Sequence, residues 1–279
     1  MNISDVFSRV DKLTVAETKN MIGEKGQEGM TLIDVREPAE YEAGHIPGAR
    51  LIPLSHFLDK LDTLDVSRTA VTYCTRGPRS RSAAILLKRQ GYEDVYYMDG
   101  GIDAWNGLVA SGPYEAGLFL LEGRKDIEEL TALAWSLEDG TGIFYTQMRE
   151  ISEDKEARQV FASLVRAEEG HKSKLLEAYR DITGKEINDG TMQAKSVKGY
   201  LEGGVSVDET VGWLRKQGAA LHEILEVSMQ VETNSLDLYM KMCREVEDTS
   251  ARSVFNFLIE EEKAHLLKLG TLLGSKINQ

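Results

Sequence analysis

Glu168-Glu169-Gly170-His171 and Glu262-Lys263-Ala264-His265 are two copies of one helical pattern, Glu-x-x-His, set 94 residues apart. Each follows a lone glutamate at the same distance: Glu138 stands 30 residues before Glu168, and Glu232 stands 30 before Glu262. The flanks repeat too, Phe144-Tyr145 against Leu238-Tyr239, and Val160-Phe161 with Leu164 against Val254-Phe255 with Leu258. Residues i and i+3 share one helix face, so Glu168 and His171 reach one point together, as do Glu262 and His265. Apolar residues at helical spacing (Phe161, Leu164, Val165; Phe255, Leu258, Ile259) turn these helices toward a core. A carboxylate buried there without a cation costs several kcal/mol. Four carboxylates and two imidazoles from four helices are the donor set of a dinuclear carboxylate site. One Glu-x-x-His alone would read as a solvated helix face; two, each with an upstream Glu and a Tyr seven residues after that Glu, read as a metal centre.

Outward from these motifs, the second half of the chain reads as helices over 124–151, 155–180, 218–246 and 249–274. The connection 181–217 is long, rich in Gly and polar residues, and contains a short helical piece, Val207 to Gln217, opened by Ser206. Two helical hairpins joined by one long crossover form a four-helix bundle of other than up-and-down topology. An oxygen-rich donor set with one imidazole per ion suits iron or manganese, and ligand type alone does not separate zinc from them.

Glu138, Glu168-x-x-His171, Glu232 and Glu262-x-x-His265 resemble the rubrerythrin branch of the ferritin-like superfamily, over roughly residues 120 to 279. The resemblance implies a bundle holding two iron ions that react with hydrogen peroxide or oxygen. It makes Glu138 and Glu232 terminal ligands to different ions, gives each ion one of His171 and His265, and lets Glu168 and Glu262 bridge. Two departures stand out. Rubrerythrins usually carry a further Glu three residues after the third-helix ligand, where this chain has Ser235. They usually carry two Cys-x-x-Cys pairs as well, whereas this chain has only Cys74 and Cys243, so turnover requires an external electron donor. Tyr145 and Tyr239 lie about two turns after Glu138 and Glu232 on the same face, placed either to hold ligands or to fill core.

The first 112 residues carry a different chemistry. Strand-like runs (Met30–Val35, Ala70–Cys74, Asp94–Met98) alternate with helical ones, the pattern of a parallel α/β sheet. Between the strand ending at Cys74 and an amphipathic helix over Ser82 to Gln90 runs Cys74-Thr75-Arg76-Gly77-Pro78-Arg79-Ser80. A cysteine at a strand-to-helix turn faces backbone N–H groups and a helix N-terminus, which stabilise its thiolate. Gly77 permits the tight curvature, and Arg76 and Arg79 add positive charge. Together with Asp34-Val35-Arg36, Gly44-His45-Ile46-Pro47-Gly48-Ala49 and Gly100-Gly101…Trp105, this loop resembles a single-domain rhodanese over about residues 5 to 110. The resemblance implies a sulfurtransferase whose Cys74 takes sulfane sulfur as a persulfide from a small anionic donor and passes it to a thiophilic acceptor. It implies further that Thr75, Arg76, Gly77, Pro78 and Arg79 form the substrate cradle, and that Asp34 and Arg36 organise the fold and the rim of the site. Phosphatases of this architecture use Cys-x5-Arg; here Arg79 closes a shorter loop, which resembles the sulfurtransferase form. His45 reads as a turn residue rather than a general base, His56 and His222 as structural or exposed, and Cys243 as core.

The expected organisation is an α/β rhodanese-like domain over 1–112, a linker over 113–122 and an all-α bundle over 123–279. The net charge of −13 falls mainly on the bundle, −3 over 1–112 against −10 over 113–279, and part of that excess is what bound cations would neutralise. Neither half offers a basic patch for nucleic acid. No apolar run is long enough for a membrane span, and the start lacks a basic segment followed by an apolar run, so a cytoplasmic enzyme is expected. Two cysteines, one in a thiolate-stabilising loop, fit a reducing compartment. Nothing calls for an organic cofactor, and the ferritin-like resemblance implies a homodimer. Two functional readings stay open. In one, both domains turn over; in the other, the bundle only binds iron or dimerises, and the first domain is a sulfurtransferase or a sulfur sensor and carrier.

Overall fold

A computed structural model describes residues 10–121, 127–195, 197–201, 204–246 and 248–277. The chain divides between Tyr114 and Glu115 into two compact units, a boundary inside the expected linker.

In the first unit five strands, β1 (Asp11–Leu13), β2 (Met30–Asp34), β3 (Arg50–Leu51), β4 (Thr69–Tyr73) and β5 (Val95–Met98), form one parallel sheet in the order β1-β5-β4-β2-β3. β4 is central and buried along its whole length, as its apolar and β-branched run requires. Successive side chains point to opposite faces: Ile33 and Ala70 enter one core with Phe57, Ala83 and Leu87, while Leu32 and Val71 enter another with Tyr41, Tyr73 and Met98. Burying each such large side chain contributes about 1.5–3 kcal/mol. Three helices flank the sheet, α1 (Val15–Gly29), α2 (Pro38–Ala43) and α3 (Pro78–Arg89). A capping box starts α1: the Thr14 hydroxyl accepts from the Glu17 N–H and the Glu17 carboxylate accepts from the Thr14 N–H at 2.7 Å. α3 begins four residues earlier than the Ser82 start read from periodicity. Pro78 is compatible with a first helical position because its missing N–H would be unpaired there in any case. The helix N-terminus therefore follows directly on the cysteine loop.

The second unit holds α4 (Ile127–Ile151), α5 (Lys155–Thr183), α6 (Asp189–Lys195), α7 (Val207–Gln217), α8 (Leu221–Glu245) and α9 (Thr249–Ile277). α4 packs on α5, α8 on α9, and α9 closes against α5 and α4, giving a bundle of four long helices. Residues 124–126 of the first expected helix lie outside the described residues. Asp154 caps α5 by accepting from the Ala157 N–H at 2.8 Å, and Ser206 caps α7 from the Glu209 N–H, as its place in the sequence implied. α6 was not foreseen. Phe144, Tyr145, Phe161, Leu164, Leu225, Leu269 and their neighbours build a core beside the polar centre. Gly140 permits a close crossing: a Cβ there would lie 1.9 Å from the Tyr200 carbonyl oxygen. Among the described residues no helix is long and apolar enough to cross a membrane.

Candidate functional site

In the second unit the four long helices deliver six side chains to one buried cluster. α4 brings Glu138, α5 brings Glu168 and His171, α8 brings Glu232, and α9 brings Glu262 and His265; none is more than 2% exposed. His171 Nδ1 lies 2.9 Å from Glu138 Oε2 and 3.1 Å from Glu168 Oε2. His265 Nδ1 lies 3.4 Å from oxygens of both Glu168 and Glu232, and 4.0 Å from Glu262 Oε2. Glu168 thus faces both imidazoles, one oxygen to each, while Glu262 sits on the His265 side. The two rings stack with centroids 5.2 Å apart. Donor atoms of Glu168, His171 and His265, and those of Glu232, Glu262 and His265, fall within 4.8 Å of one another.

Both tyrosines hold glutamates of the cluster, and they do so crosswise. The Tyr239 hydroxyl donates to Glu138 Oε1 at 2.9 Å, and the Tyr145 hydroxyl donates to Glu232 Oε1. Each repeat therefore positions the lone glutamate of the other. Burial, then the charge of Glu232, pushes the Tyr145 phenol well above its ordinary value, so it stays a donor. Burial alone would lower the imidazolium of His171, but hydrogen bonds and charges from Glu138 and Glu261 outweigh it and raise it. Glu261 is a residue the sequence reading missed: its Oε2 lies 3.1 Å from His171 Nε2.

The cluster fits metal ions by its own chemistry. Both ring nitrogens of His265 and Oε2 of Glu232 are buried without a hydrogen bond, a costly arrangement unless a cation seats among them. A cation between Glu232, Glu262 and His265 would answer Glu232 Oε2 and the inward ring nitrogen Nδ1 of His265. Ser235 donates its hydroxyl to the Val231 carbonyl at 2.9 Å, so this side chain is engaged with its own helix.

In the first unit Cys74 follows directly on β4, with its thiol inside the loop that leads to α3. The Gly77 N–H donates to Sγ at 3.1 Å. Burial would raise the thiol, yet the amides of Ser80, Gly77 and Arg76 and the Ser80 hydroxyl outweigh it and hold it below its ordinary value. Gly77 has φ 122°, open to glycine. From the other side the Gly100-Gly101 turn closes on the loop: Ile102 N–H donates to the Cys74 carbonyl at 2.8 Å and Asp103 N–H to that of Thr75 at 3.1 Å. A Cβ on Gly101 would lie 2.2 Å from the Cys74 oxygen.

Arg76 and Arg79 bring the expected positive charge to the loop, and each is matched by a carboxylate. Arg79 makes a two-pronged pair with Glu40, at 2.7 Å on each prong, and donates to the Thr75 hydroxyl at 2.8 Å. Arg76 donates to Asp103 at 2.8 Å. The amides of Ser80, Gly77 and Arg76 lead in stabilising the sulfur, and the Arg79 guanidinium interacts with it as well. Asp34 and Arg36, expected to organise the fold and the rim of the site, are buried and bonded to each other at 2.6 Å, with Arg36 also donating to the Gly44 carbonyl at 2.7 Å. An ion pair so enclosed ties the end of β2 to the Gly44 turn. His45 is structural, stacked on Tyr41 with Nδ1 2.9 Å from the Tyr41 carbonyl oxygen. His56 and His222 are exposed, and Cys243 is buried with Sγ 3.5 Å from Asn256 Oδ1.

A family model described as a rhodanese-like domain matches residues 14–108, and one described as rubrerythrin matches residues 129–273. The thiosulfate sulfurtransferase GlpE of Pseudoalteromonas translucida is 33% identical over 93 residues, 33% of this chain and 86% of GlpE. The uncharacterised protein YqhL of Bacillus subtilis is 41% identical over 78 residues, 28% of this chain and 62% of YqhL. The crystal structure of a rhodanese-related protein from Thermoplasma volcanium is 27% identical, covering 36% of this chain and 97% of that one, with a TM-score of 0.33. Since the bundle model spans over half of the sequence, the chain belongs to the rubrerythrin family, with a rhodanese-like domain ahead of its bundle.

Proposed function

We propose that the chain is a two-headed enzyme, a sulfurtransferase acting through Cys74 and a di-iron oxidoreductase reducing peroxide or oxygen. The observation that carries the second head is the pair of buried Glu-x-x-His motifs converging with Glu138 and Glu232, which would otherwise leave buried donor atoms of His265 and Glu232 without hydrogen bonds. Glu138, Glu168 and His171 would hold one ion, Glu232, Glu262 and His265 the other, with Glu168 shared. When bound, such an iron pair supplies two electrons to an oxidant and recovers them from an external donor. The protein's part is to fix the donor set: Tyr145 and Tyr239 hold the outer glutamates in one orientation, and the apolar core limits water. Iron is the metal the rubrerythrin match supports best.

At the first head the Cys74 thiolate attacks the sulfane sulfur of a donor. The new S–S bond forms as the donor's own bond to that sulfur breaks, and the leaving group departs with the electron pair. A thiophilic acceptor then takes the outer sulfur and returns the thiolate. The amides of Gly77, Arg76 and Ser80 stabilise negative charge on sulfur at both stages. Thr75, Pro78 and the Arg79–Glu40 pair keep the loop closed around it. Likeness to the thiosulfate sulfurtransferase supports a small sulfane-sulfur anion as donor.

A second reading is favoured by one fact: the chain holds two cysteines, so it does not itself supply the four-thiolate iron site that would feed electrons to a rubrerythrin centre. In that reading the bundle binds iron or dimerises while only Cys74 turns over. Anaerobic mixing of the reduced, iron-loaded protein with hydrogen peroxide separates the two. Stoichiometric oxidation of the iron with loss of peroxide supports the two-headed enzyme; unreactive iron contradicts it.

A further inference from the structure

The duplicated sequence makes the two halves of the cluster alike in every expected ligand, and one residue breaks that likeness. Glu261 Oε2 accepts from the His171 ring at Nε2, 3.1 Å away. The position one repeat earlier, 94 residues back, is Ala167, which has no such group. His265 Nε2 is buried without a hydrogen bond. The two imidazoles thus differ on their outer nitrogens while facing the cluster alike with Nδ1.

Glu261 is not placed to join the inner donors. His171 Nδ1 faces Glu138 and Glu168, and Glu261 lies at the other nitrogen, on the outer side of the ring. Its side chain is 33% exposed, and its second oxygen is 3.9 Å from Lys174 Nζ. Lys174 in turn lies over the Phe257 ring, 4.4 Å from its centroid, and Phe257 meets the His171 ring edge-on at 5.9 Å. One wall of the His171 ring is therefore packed and its outer nitrogen is fixed to a carboxylate. A carboxylate on the outer nitrogen keeps the proton there, leaves Nδ1 as the lone-pair donor, and makes that donor more basic.

Resting on the dinuclear reading above, we propose that Glu261 is a positioning residue for one metal ion only. It renders the Glu138–Glu168–His171 side the tighter of the two sites, so this side fills first and empties last. His265 lacks the equivalent brace, and its side is the weaker and more exchangeable one.

The test is anaerobic titration of the metal-stripped full-length protein with Co(II), followed by visible absorption, for the parent, Glu261→Gln and Glu261→Ala. The parent should bind two ions in resolved steps. Glu261→Ala should weaken the first step about ten- to a hundred-fold and leave the second within about twofold, so that the steps merge. Glu261→Gln, which keeps an acceptor but loses the charge, should fall between. Iron-57 Mössbauer spectra give an independent readout: two distinct doublets in the parent, converging in the alanine variant. Two ions bound by the parent with both variants unchanged would overturn the inference while leaving the metal centre standing. No ion bound by the parent would overturn the metal reading itself and this inference with it. Comparable weakening of both steps would assign Glu261 a general structural role, and that too overturns the proposal.

Discussion

At Cys74 the amides of Ser80, Gly77 and Arg76 converge on a thiol whose guanidinium neighbours are each tied to a carboxylate. Its acidity should therefore depend on the loop's backbone and on Ser80 more than on either arginine. Alkylation by iodoacetamide should rise through a midpoint below the ordinary thiol value of 9.0; Ser80→Ala should move that midpoint upward, and Cys74→Ser should abolish sulfur transfer. Glu40 offers a second measurement. Its hydrogen bond to Arg79 brings its carboxyl from 4.5 down to about 2 in spite of partial burial. A depressed carboxyl stabilises the fold above its unfolded value and loses that contribution as pH falls through its folded value. The stability gap between the parent and Glu40→Gln should be full above about pH 4.5 and close as pH falls toward 2. Both partners are about one-third exposed, so solvent screens the pair and the gap will be modest. At the metal cluster, Tyr145→Phe removes the donor to Glu232 and Tyr239→Phe the donor to Glu138. Each should cost about tenfold or more in affinity, for opposite ions, read by the same cobalt titration.

Elements position these groups through close approaches that only glycine allows. Gly101 has φ 59° and ψ −153°, a region closed to other residues, with a Cβ blocked by the Cys74 carbonyl. Gly101→Ala should destabilise the first unit by at least about 1–3 kcal/mol and impair sulfur transfer, measured by urea denaturation and a thiosulfate assay. Gly140→Ala should act in the same direction on the bundle, by forcing α4 off the Tyr200 carbonyl. The long helices were legible because their apolar period runs for many turns. The short edge strands β1 and β3 were not, since three and two residues carry no alternation to read. The six inner donors were legible because they recur at a fixed offset. Glu261 lies outside that repeat, and Glu40 and Asp103 reach the loop from 39 and 27 residues away with no spacing rule to connect them. Their partners, Arg79 and Arg76, could be seen from the sequence only as charges awaiting an answer.

For the molecule as a whole, the parallel sheet and the helical bundle each have their own core, and each carries one of the two proposed centres. Metal binding should therefore survive Cys74→Ser, and persulfide loading on Cys74 should survive Glu168→Ala. An electron donor outside the chain, a sulfane-sulfur donor, a thiophilic acceptor and a second copy of the chain are the partners we propose. The proposed chemistry of the second head depends on ions seated among Glu138, Glu168, His171, Glu232, Glu262 and His265. The deciding measurement is metal content per chain in protein purified without added metal and without oxygen. Close to two irons per chain, falling sharply in Glu168→Ala, is the expected result. No stoichiometric metal in a folded protein would contradict it and leave Cys74 as the molecule's one reactive centre.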